Sequence, residues 1–243
     1  MPDNLNAEPL LDSAATAALL LRDPAAAFNA VRQAAHAGDV TAQLLLAQMH
    51  MEGKGTPPDA PTAVLWYETA ANNGAAMAMN QLGRCHELGQ GTAQNATLAA
   101  VWYRRAADGG LDWGMYNLAN LLATGRGVDC DGPQALALYT RAAQLGHAKS
   151  MNLLARHLED GLHTAADPAA ARRWYQRSAE AGDFRGQANL AAILLQEGRV
   201  EPAVDWLRLA LAHGSPAFLA QIRPQLTASA HPQVRALAST LNG

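Results

Sequence analysis

The sequence repeats itself every 36 residues, and this period constrains the fold more than any other feature. A Trp-Tyr pair at Trp66-Tyr67 recurs at Trp102-Tyr103 and Trp174-Tyr175, and Leu138-Tyr139 fills the intermediate position of the same period. A fixed period of this size is typical of a solenoid of stacked supersecondary units. The residues around each pair then indicate what one unit contains.

Each Trp-Tyr pair lies in a segment with helical spacing, which we name the outer helix. Small and aromatic residues fall at i, i+4, i+7 and i+8, on one helical face, as in Ala63, Tyr67, Ala70 and Ala71. An N-cap residue precedes each segment at a constant register: Asp23, Asp59, Asn95, Asp131 and Asp167. A turn glycine, suited to the left-handed conformation, follows each segment: Gly38, Gly74, Gly110, Gly146 and Gly182.

A second periodic segment, which we name the inner helix, follows each turn glycine. It carries a leucine and a small residue in identical register: Leu46-Ala47, Leu82-Gly83, Leu118-Ala119, Leu154-Ala155 and Leu190-Ala191. The small residue permits close contact with another helix. These helices are predicted to end at Gly53, Gly89, Gly125 and Gly161, and a polar loop leads to the next cap.

The pattern A-x-x-x-L-G-x-x-x-x-x-G-x-G followed by D-x-x-x-A-x-x-W-Y-x-x-A-A-x-x-G resembles the Sel-one-like repeat, a relative of the tetratricopeptide repeat. The resemblance runs from Asp23 to Gly214. It implies an all-α, right-handed α-solenoid of stacked antiparallel helix pairs. It also implies an adaptor or scaffold that has no catalysis of its own.

The pattern divides the chain into three predicted segments: 1–22 is an N-terminal tail and capping helix, 23–214 the repeat array, and 215–243 a pair of C-terminal capping helices. We expect residues 1–7 to be frayed and 10–21 to form the first capping helix, because no basic leader marks a signal peptide. Trp174 and Trp206 are only 32 residues apart, which predicts a loop contracted to residues 198–202. Residues 216–228 and 232–241 keep helical character without the motif.

Composition limits the classes of partner and the compartment. The chain has 243 residues and a formal charge of −3, whereas a nucleic-acid footprint would show a strongly basic stripe. No stretch reaches the roughly 20 apolar residues of a membrane span. Two cysteines are too few for the disulfide-stapled branch of the repeat family, so we expect a buried Cys85 and an exposed Cys130, both reduced. These features predict a bacterial cytoplasmic protein that binds no nucleic acid.

The histidines do not predict a metal site or a catalytic site. His50 and His86 are one period apart in a helix-packing position, and zinc needs about four convergent ligands. A further polar cluster, which we attribute to a solvated helix end, comprises His157, Glu159, Asp160 and His163. No catalytic signature occurs in the sequence. We therefore expect a protein that is not an enzyme and has no cofactor.

The inner helices supply the predicted partner site. By analogy with tetratricopeptide superhelices, they should line a concave groove with an exposed stripe of Met77, Asn80, Arg84, Glu87, Trp113, Tyr116, Asn120, Lys149, Asn152, Arg156 and Arg185. Amides, cations and two aromatics suit a peptide backbone and an acidic group or C-terminal carboxylate. Trp113 and Tyr116, at i and i+3, are the predicted anchor. For each residue alone, an ordinary solvated surface is an equal alternative.

Our first hypothesis is therefore a non-enzymatic scaffold or adaptor that binds a protein segment in its concave groove. One alternative is a regulatory subunit that clasps a folded enzyme by its convex or terminal faces. The other, which the sequence supports least, is a protein that handles a metal or a small molecule.

Overall fold

The computed structural model describes residues 13–239, and these form fourteen α-helices and no β-strand. The helices are α1 (Ser13–Arg22), α2 (Pro24–His36), α3 (Val40–Glu52), α4 (Ala60–Asn72), α5 (Ala76–Leu88), α6 (Ala96–Asp108), α7 (Asp112–Thr124), α8 (Gly132–Gln144), α9 (Ala148–Asp160), α10 (Pro168–Glu180), α11 (Phe184–Gln196), α12 (Val200–His213), α13 (Pro216–Thr227) and α14 (Pro232–Ser239). The odd-numbered helices α3 to α11 are the predicted inner helices, and the even-numbered helices α2 to α12 are the outer helices. The predicted frayed tail at 1–7, the start of the first capping helix at 10–12 and the end of the last at 240–241 lie outside the described residues.

The outer helices begin at the predicted caps. In each case a side-chain oxygen accepts a backbone N–H three residues later, at 2.9–3.1 Å, in the pairs Asp23 with Ala26, Asp59 with Thr62, Asn95 with Leu98, and Asp167 with Ala170. A cap of this kind contributes about 1 kcal/mol to helix stability. Helix α8 begins directly after Asp131, for which the capping role stays a prediction.

The helices end at the predicted glycines. The five turn glycines have φ between 83° and 101°, and the four that end inner helices have φ between 63° and 70°. All nine lie in the left-handed region, which glycine adopts without steric cost. The prediction of helix, tight turn, helix and loop is confirmed.

The predicted faces form the core of each helix pair. Tyr67, Tyr103 and Tyr175 are at most 2% exposed, and the alanines beside them are buried as well. The small residue of the inner helix allows this packing: a Cβ atom on Gly83 would lie 2.7 Å from the Tyr103 ring. Leu82 is fully buried next to it.

The last repeat departs from the predicted loop. Helix α12 begins at Val200, so Glu201 and Pro202 belong to its first turn and the loop is shorter than the predicted 198–202. Proline fits there because the first-turn N–H groups have no intrahelical partner. Helices α13 and α14 then cover the apolar side of α11 and α12, with Ile222, Leu226 and Val234 packed in one core cluster with Leu194 and Leu207.

The chain divides into two compact units, with the boundary between Asp131 and Gly132. Unit 1 contains α1–α7 and unit 2 contains α8–α14. No helix within residues 13–239 is both long enough and apolar enough to cross a membrane.

Candidate functional site

An asparagine pair joins two consecutive inner helices in each unit. In unit 1 the Asn117 Nδ2 donates to Asn80 Oδ1 at 2.8 Å, and in unit 2 the Asn189 Nδ2 donates to Asn152 Oδ1 at 2.8 Å. The two pairs are separated by two periods of the sequence, so the same arrangement occurs in both units. It fixes the register of α5 against α7 and of α9 against α11.

These pairs correct the predicted stripe. Asn80 and Asn152 were expected to be exposed, but they are only 4% and 3% exposed. The reason is that an asparagine of the next inner helix covers each of them and bonds to it. Asn117 and Asn189 were not predicted, although their recurrence at the period of the repeat was a signal that could have identified them.

In unit 1, exposed side chains flank the asparagine pair. Arg84 follows Asn80 by one helical turn and is exposed, and Trp113 precedes Asn117 by one turn and is 40% exposed. The Trp113 and Tyr116 rings meet edge to face, with centroids 6.1 Å apart, which confirms that the two residues share a face. Of the remaining predicted residues here, Met77 is exposed and Asn120 is half-buried.

Glu87 has a structural contact that the sequence did not reveal. Its carboxylate accepts a hydrogen bond from the Tyr103 hydroxyl and pairs with Arg126. In unit 2 the Tyr175 hydroxyl donates in the same way to Glu159, at 2.7 Å. Burial, together with these hydrogen bonds, raises the pKa of both tyrosines well above the ordinary value. The Glu87 carboxylate is thus engaged within unit 1.

Three of the predicted residues come together in unit 2. Asn152, Arg156 and Arg185 line one pocket of about 490 Å³. The Arg185 guanidinium stacks on the Phe184 ring, 4.6 Å from its centroid, and the Phe184 ring contacts that of Phe218, with centroids 4.8 Å apart. The fourth predicted residue of this unit, Lys149, is half-buried and does not line the pocket.

The rest of the lining of this pocket was not predicted. Its apolar part comes from α12, α13 and α14, through Leu207, Phe218, Ile222, Leu226 and Val234, and Gln221 and Gln225 of α13 add two amides. Helices α13 and α14 lack the repeat motif, so the periodicity could not assign a register to them. The pocket therefore combines cations and amides from the repeats with an apolar surface from the C-terminal helices.

Cys85 and Cys130 have the predicted exposure, and His50 and His86 lie in separate environments. Cys85 is buried and Cys130 exposed, both as free thiols, and burial raises the pKa of Cys85 to about 11. A thiol with so high a pKa is a poor nucleophile. His50 meets the Phe28 ring edge to face at 5.2 Å, whereas His86 is buried in α5. Within residues 13–239, no three His, Cys, Asp or Glu side chains are grouped as metal ligands.

The comparison with known families identifies the repeat. The Sel1 repeat model matches residues 40–74, 76–111, 114–147, 148–183 and 185–215, well over half of the chain. The chain belongs to the Sel1 repeat family. None of the curated proteins compared with the sequence matches it.

Solved structures of Sel1 repeat proteins have the same fold. The chain is similar to c5321, a protective antigen of uropathogenic Escherichia coli strains with an SLR fold, at 28% identity and a TM-score of 0.74, over 92% of this chain and 50% of that one. It is also similar to a Sel1 repeat protein from Oxalobacter formigenes, at 22% identity and a TM-score of 0.80, over 95% and 98%. Immunity protein Pa5087 from Pseudomonas aeruginosa is 16% identical, with a TM-score of 0.56 over 84% and 81%.

Family and neighbours together confirm an all-α solenoid of the tetratricopeptide-like class. The chain spans half the length of c5321. Sel1 repeat proteins generally act as scaffolds for protein interactions and are typically not catalytic.

Proposed function

We propose that this Sel1 repeat protein is a non-enzymatic adaptor that binds a segment of a partner protein on its inner helices, in the concave groove of the solenoid. One observation carries the proposal. The same hydrogen-bonded asparagine pair recurs in both units, flanked by Arg84 and Trp113 in unit 1 and by Arg156 and Arg185 in unit 2. A repeat core needs no exposed indole at the position of Trp113, because Thr41 and Lys149 occupy this register in other repeats.

The chemistry of these side chains suits a peptide. Arginine binds carboxylates through parallel hydrogen bonds, so a partner with an acidic side chain or a C-terminal carboxylate fits the cationic positions. Tryptophan and arginine are the residue types that most often dominate the free energy of an interface. The thiols of Cys85 and Cys130 favour a reducing compartment, and we place this activity in the bacterial cytoplasm.

The experiment that tests this role measures the affinity of variants for a captured partner. The full chain serves as bait, the bound protein is identified by mass spectrometry, and its affinity is measured by titration. Trp113→Ala should weaken binding roughly thirtyfold, as expected for an interface anchor worth ~2 kcal/mol. Circular dichroism checks that the helices are retained. Unchanged affinity in Trp113→Ala, Arg84→Ala and Arg156→Ala would contradict binding by the inner helices.

The same experiment tests the second candidate function, a regulatory subunit that clasps a folded enzyme by its convex face. Its specific support is a pair of exposed apolar residues one period apart on outer helices: Leu65 is 62% exposed and Val101 48%. The double substitution Leu65→Ser and Val101→Ser is the matched control for Trp113→Ala. If it abolishes binding while Trp113→Ala does not, the convex face carries the interaction.

A further inference from the structure

The pocket of unit 2 is cationic, because arginines and no acidic residues line it. Its lining includes two guanidinium groups, from Arg156 and Arg185, and no carboxylate. Neither arginine forms a salt bridge with any residue in 13–239. The complementary ligand therefore carries negative charge at two positions.

The asparagine pair sets the distance between those positions. Because the antiparallel helix α10 connects α9 to α11, these two inner helices run in the same direction, and the bond from Asn189 to Asn152 places the two residues side by side. Arg156 lies four residues after Asn152, and Arg185 lies four residues before Asn189. At 1.5 Å per residue, each arginine lies about 6 Å from the asparagine pair along its helix axis. Because the two displacements have opposite directions, the arginines lie about 12 Å apart along the helix axes.

Between the two cations, the pocket offers hydrogen-bonding groups and an apolar wall. The Asn152 NH₂ group and the Asn189 carbonyl oxygen form no hydrogen bond with other residues in 13–239, and both side chains line the pocket. One donor and one acceptor match the two polar groups of a peptide unit. Phe218, Ile222 and Leu226 line the same pocket and can contact a large apolar side chain.

We propose that this pocket binds an extended segment of a partner protein with the pattern acidic, any, large apolar, any, acidic. An extended chain advances about 3.3 Å per residue, so acidic residues four positions apart are separated by about 13 Å, close to the component of the arginine separation along the helix axes. Side chains at i, i+2 and i+4 point to the same side of an extended chain, so both carboxylates and the apolar group face the pocket together. This inference deepens the proposed function and rests on it.

The test uses synthetic peptides and the full-length chain. The probe is an acetylated, amidated and fluorescently labelled peptide containing Glu-Ser-Leu-Ser-Glu, and its binding is followed by fluorescence anisotropy. A peptide of the same composition in the order Glu-Glu-Leu-Ser-Ser should bind at least about tenfold more weakly, because only one carboxylate then meets an arginine. A peptide with serine in place of the leucine should also lose affinity. Equal binding of all three peptides would overturn the assigned pattern.

Matched variants test whether Arg156 and Arg185 are the cations that bind the peptide. Arg156→Gln and Arg185→Gln should each weaken binding of the Glu-Ser-Leu-Ser-Glu peptide about tenfold, which is the loss of one charge-assisted contact of ~1.4 kcal/mol. Arg173→Gln removes the same charge from an exposed position of α10 outside the pocket, and it should change affinity less than twofold. Equal losses in all three variants would mean that net charge, and not the pocket, attracts the peptide.

A last comparison separates this inference from the proposed function. If the full chain captures a partner through its inner helices but the Glu-Ser-Leu-Ser-Glu peptide does not compete, the pocket assignment is wrong and the adaptor role stands. If only a free-acid form of the peptide binds, the pocket recognises a chain terminus and the internal pattern is wrong. Competition by the amidated peptide that is lost in Arg156→Gln supports both the pocket assignment and the adaptor role.

Discussion

At the scale of single residues, burial and a hydrogen bond together constrain two tyrosine hydroxyls. Tyr103 and Tyr175 are at most 1% exposed, yet each hydroxyl reaches a glutamate on the neighbouring inner helix. A phenolate at either site would lie in an apolar environment next to a carboxylate. For this reason the folded protein holds both phenols in the neutral form, and burial likewise raises the pKa of Tyr67 to about 12.

These pKa shifts predict how stability depends on alkaline pH. The pKa of an exposed tyrosine is about 10, so the stabilisation of the neutral phenols is complete below that value and is lost as the pH rises above it. The free energy of unfolding should fall steadily above pH ~10, and less steeply in the double variant Tyr103→Phe and Tyr175→Phe. Urea unfolding at successive pH values measures the slope. Ultraviolet absorbance that reported full ionisation of all five tyrosines while the helical circular dichroism persisted would contradict this.

The sequence predicted the burial of these tyrosines but not the contacts of their hydroxyl groups. Periodicity shows which face of a helix is buried, because apolar and small residues recur on that face. It does not show which polar residue meets which, since Glu87 and Asn80 look like surface residues in a one-dimensional pattern. For this reason Asn152 was wrongly predicted to be exposed, whereas the predicted exposure of Trp113 is correct.

At the scale of helices and loops, one position in each loop contacts the start of the preceding outer helix. Three repeats have a glycine there with φ between 72° and 74°, and a Cβ on Gly91 would lie 2.3 Å from the Ala60 carbonyl oxygen. In the fourth repeat this loop position is His163, with φ of 61°, and the residue that it faces is Gly132. In this repeat the glycine lies at the start of the outer helix and the larger residue lies in the loop. The loop and the helix start therefore still approach each other closely.

This exchange predicts the outcome of a double-mutant cycle within unit 2. Gly132→Ala should destabilise the protein by about 1–3 kcal/mol, because the added Cβ would lie 2.0 Å from the His163 ring. His163→Gly alone should be tolerated, because it removes a side chain from a left-handed position. The double variant should regain most of the loss. Thermal and urea unfolding give the coupling free energy, and strictly additive effects would rule out the compensation.

Helix boundaries were predicted well where capping residues and glycines recur, and less well where they do not. The caps at Asp59 and Asn95 and the turn at Gly74 are confirmed, because each has a local physical cause that does not depend on the rest of the fold. The start of α12 was placed too late, because its N-cap position holds Arg199 and its side chain makes no capping bond. The pocket wall from α13 was missed because tertiary packing alone positions that helix.

At the scale of the whole molecule, the repeat architecture limits how far a local change can spread. In a repeat protein each repeat contacts its neighbouring repeats, and the free energy of unfolding approximates a sum of contributions from the repeats and from the interfaces between them. Here the chain forms two compact units, and each contains two buried tyrosines in its core. A core substitution should therefore weaken one unit more than the other.

Hydrogen exchange measured by mass spectrometry tests this with a matched pair of variants. Tyr103→Ala removes a fully buried aromatic ring from unit 1 and should cost about 3–5 kcal/mol. Amide protection should fall in peptides from α5 and α6, while peptides from α9 to α11 keep most of their protection. Tyr175→Ala is the counterpart in unit 2 and should give the opposite distribution, because Tyr175 packs in a core cluster with Ala155 and Ala171. An equal loss of protection in both units for either variant would mean that the chain unfolds as a single cooperative body. In that case the Trp113 surface and the Arg156 pocket would lose structure together, and substitutions in one unit could not be used to isolate binding by the other.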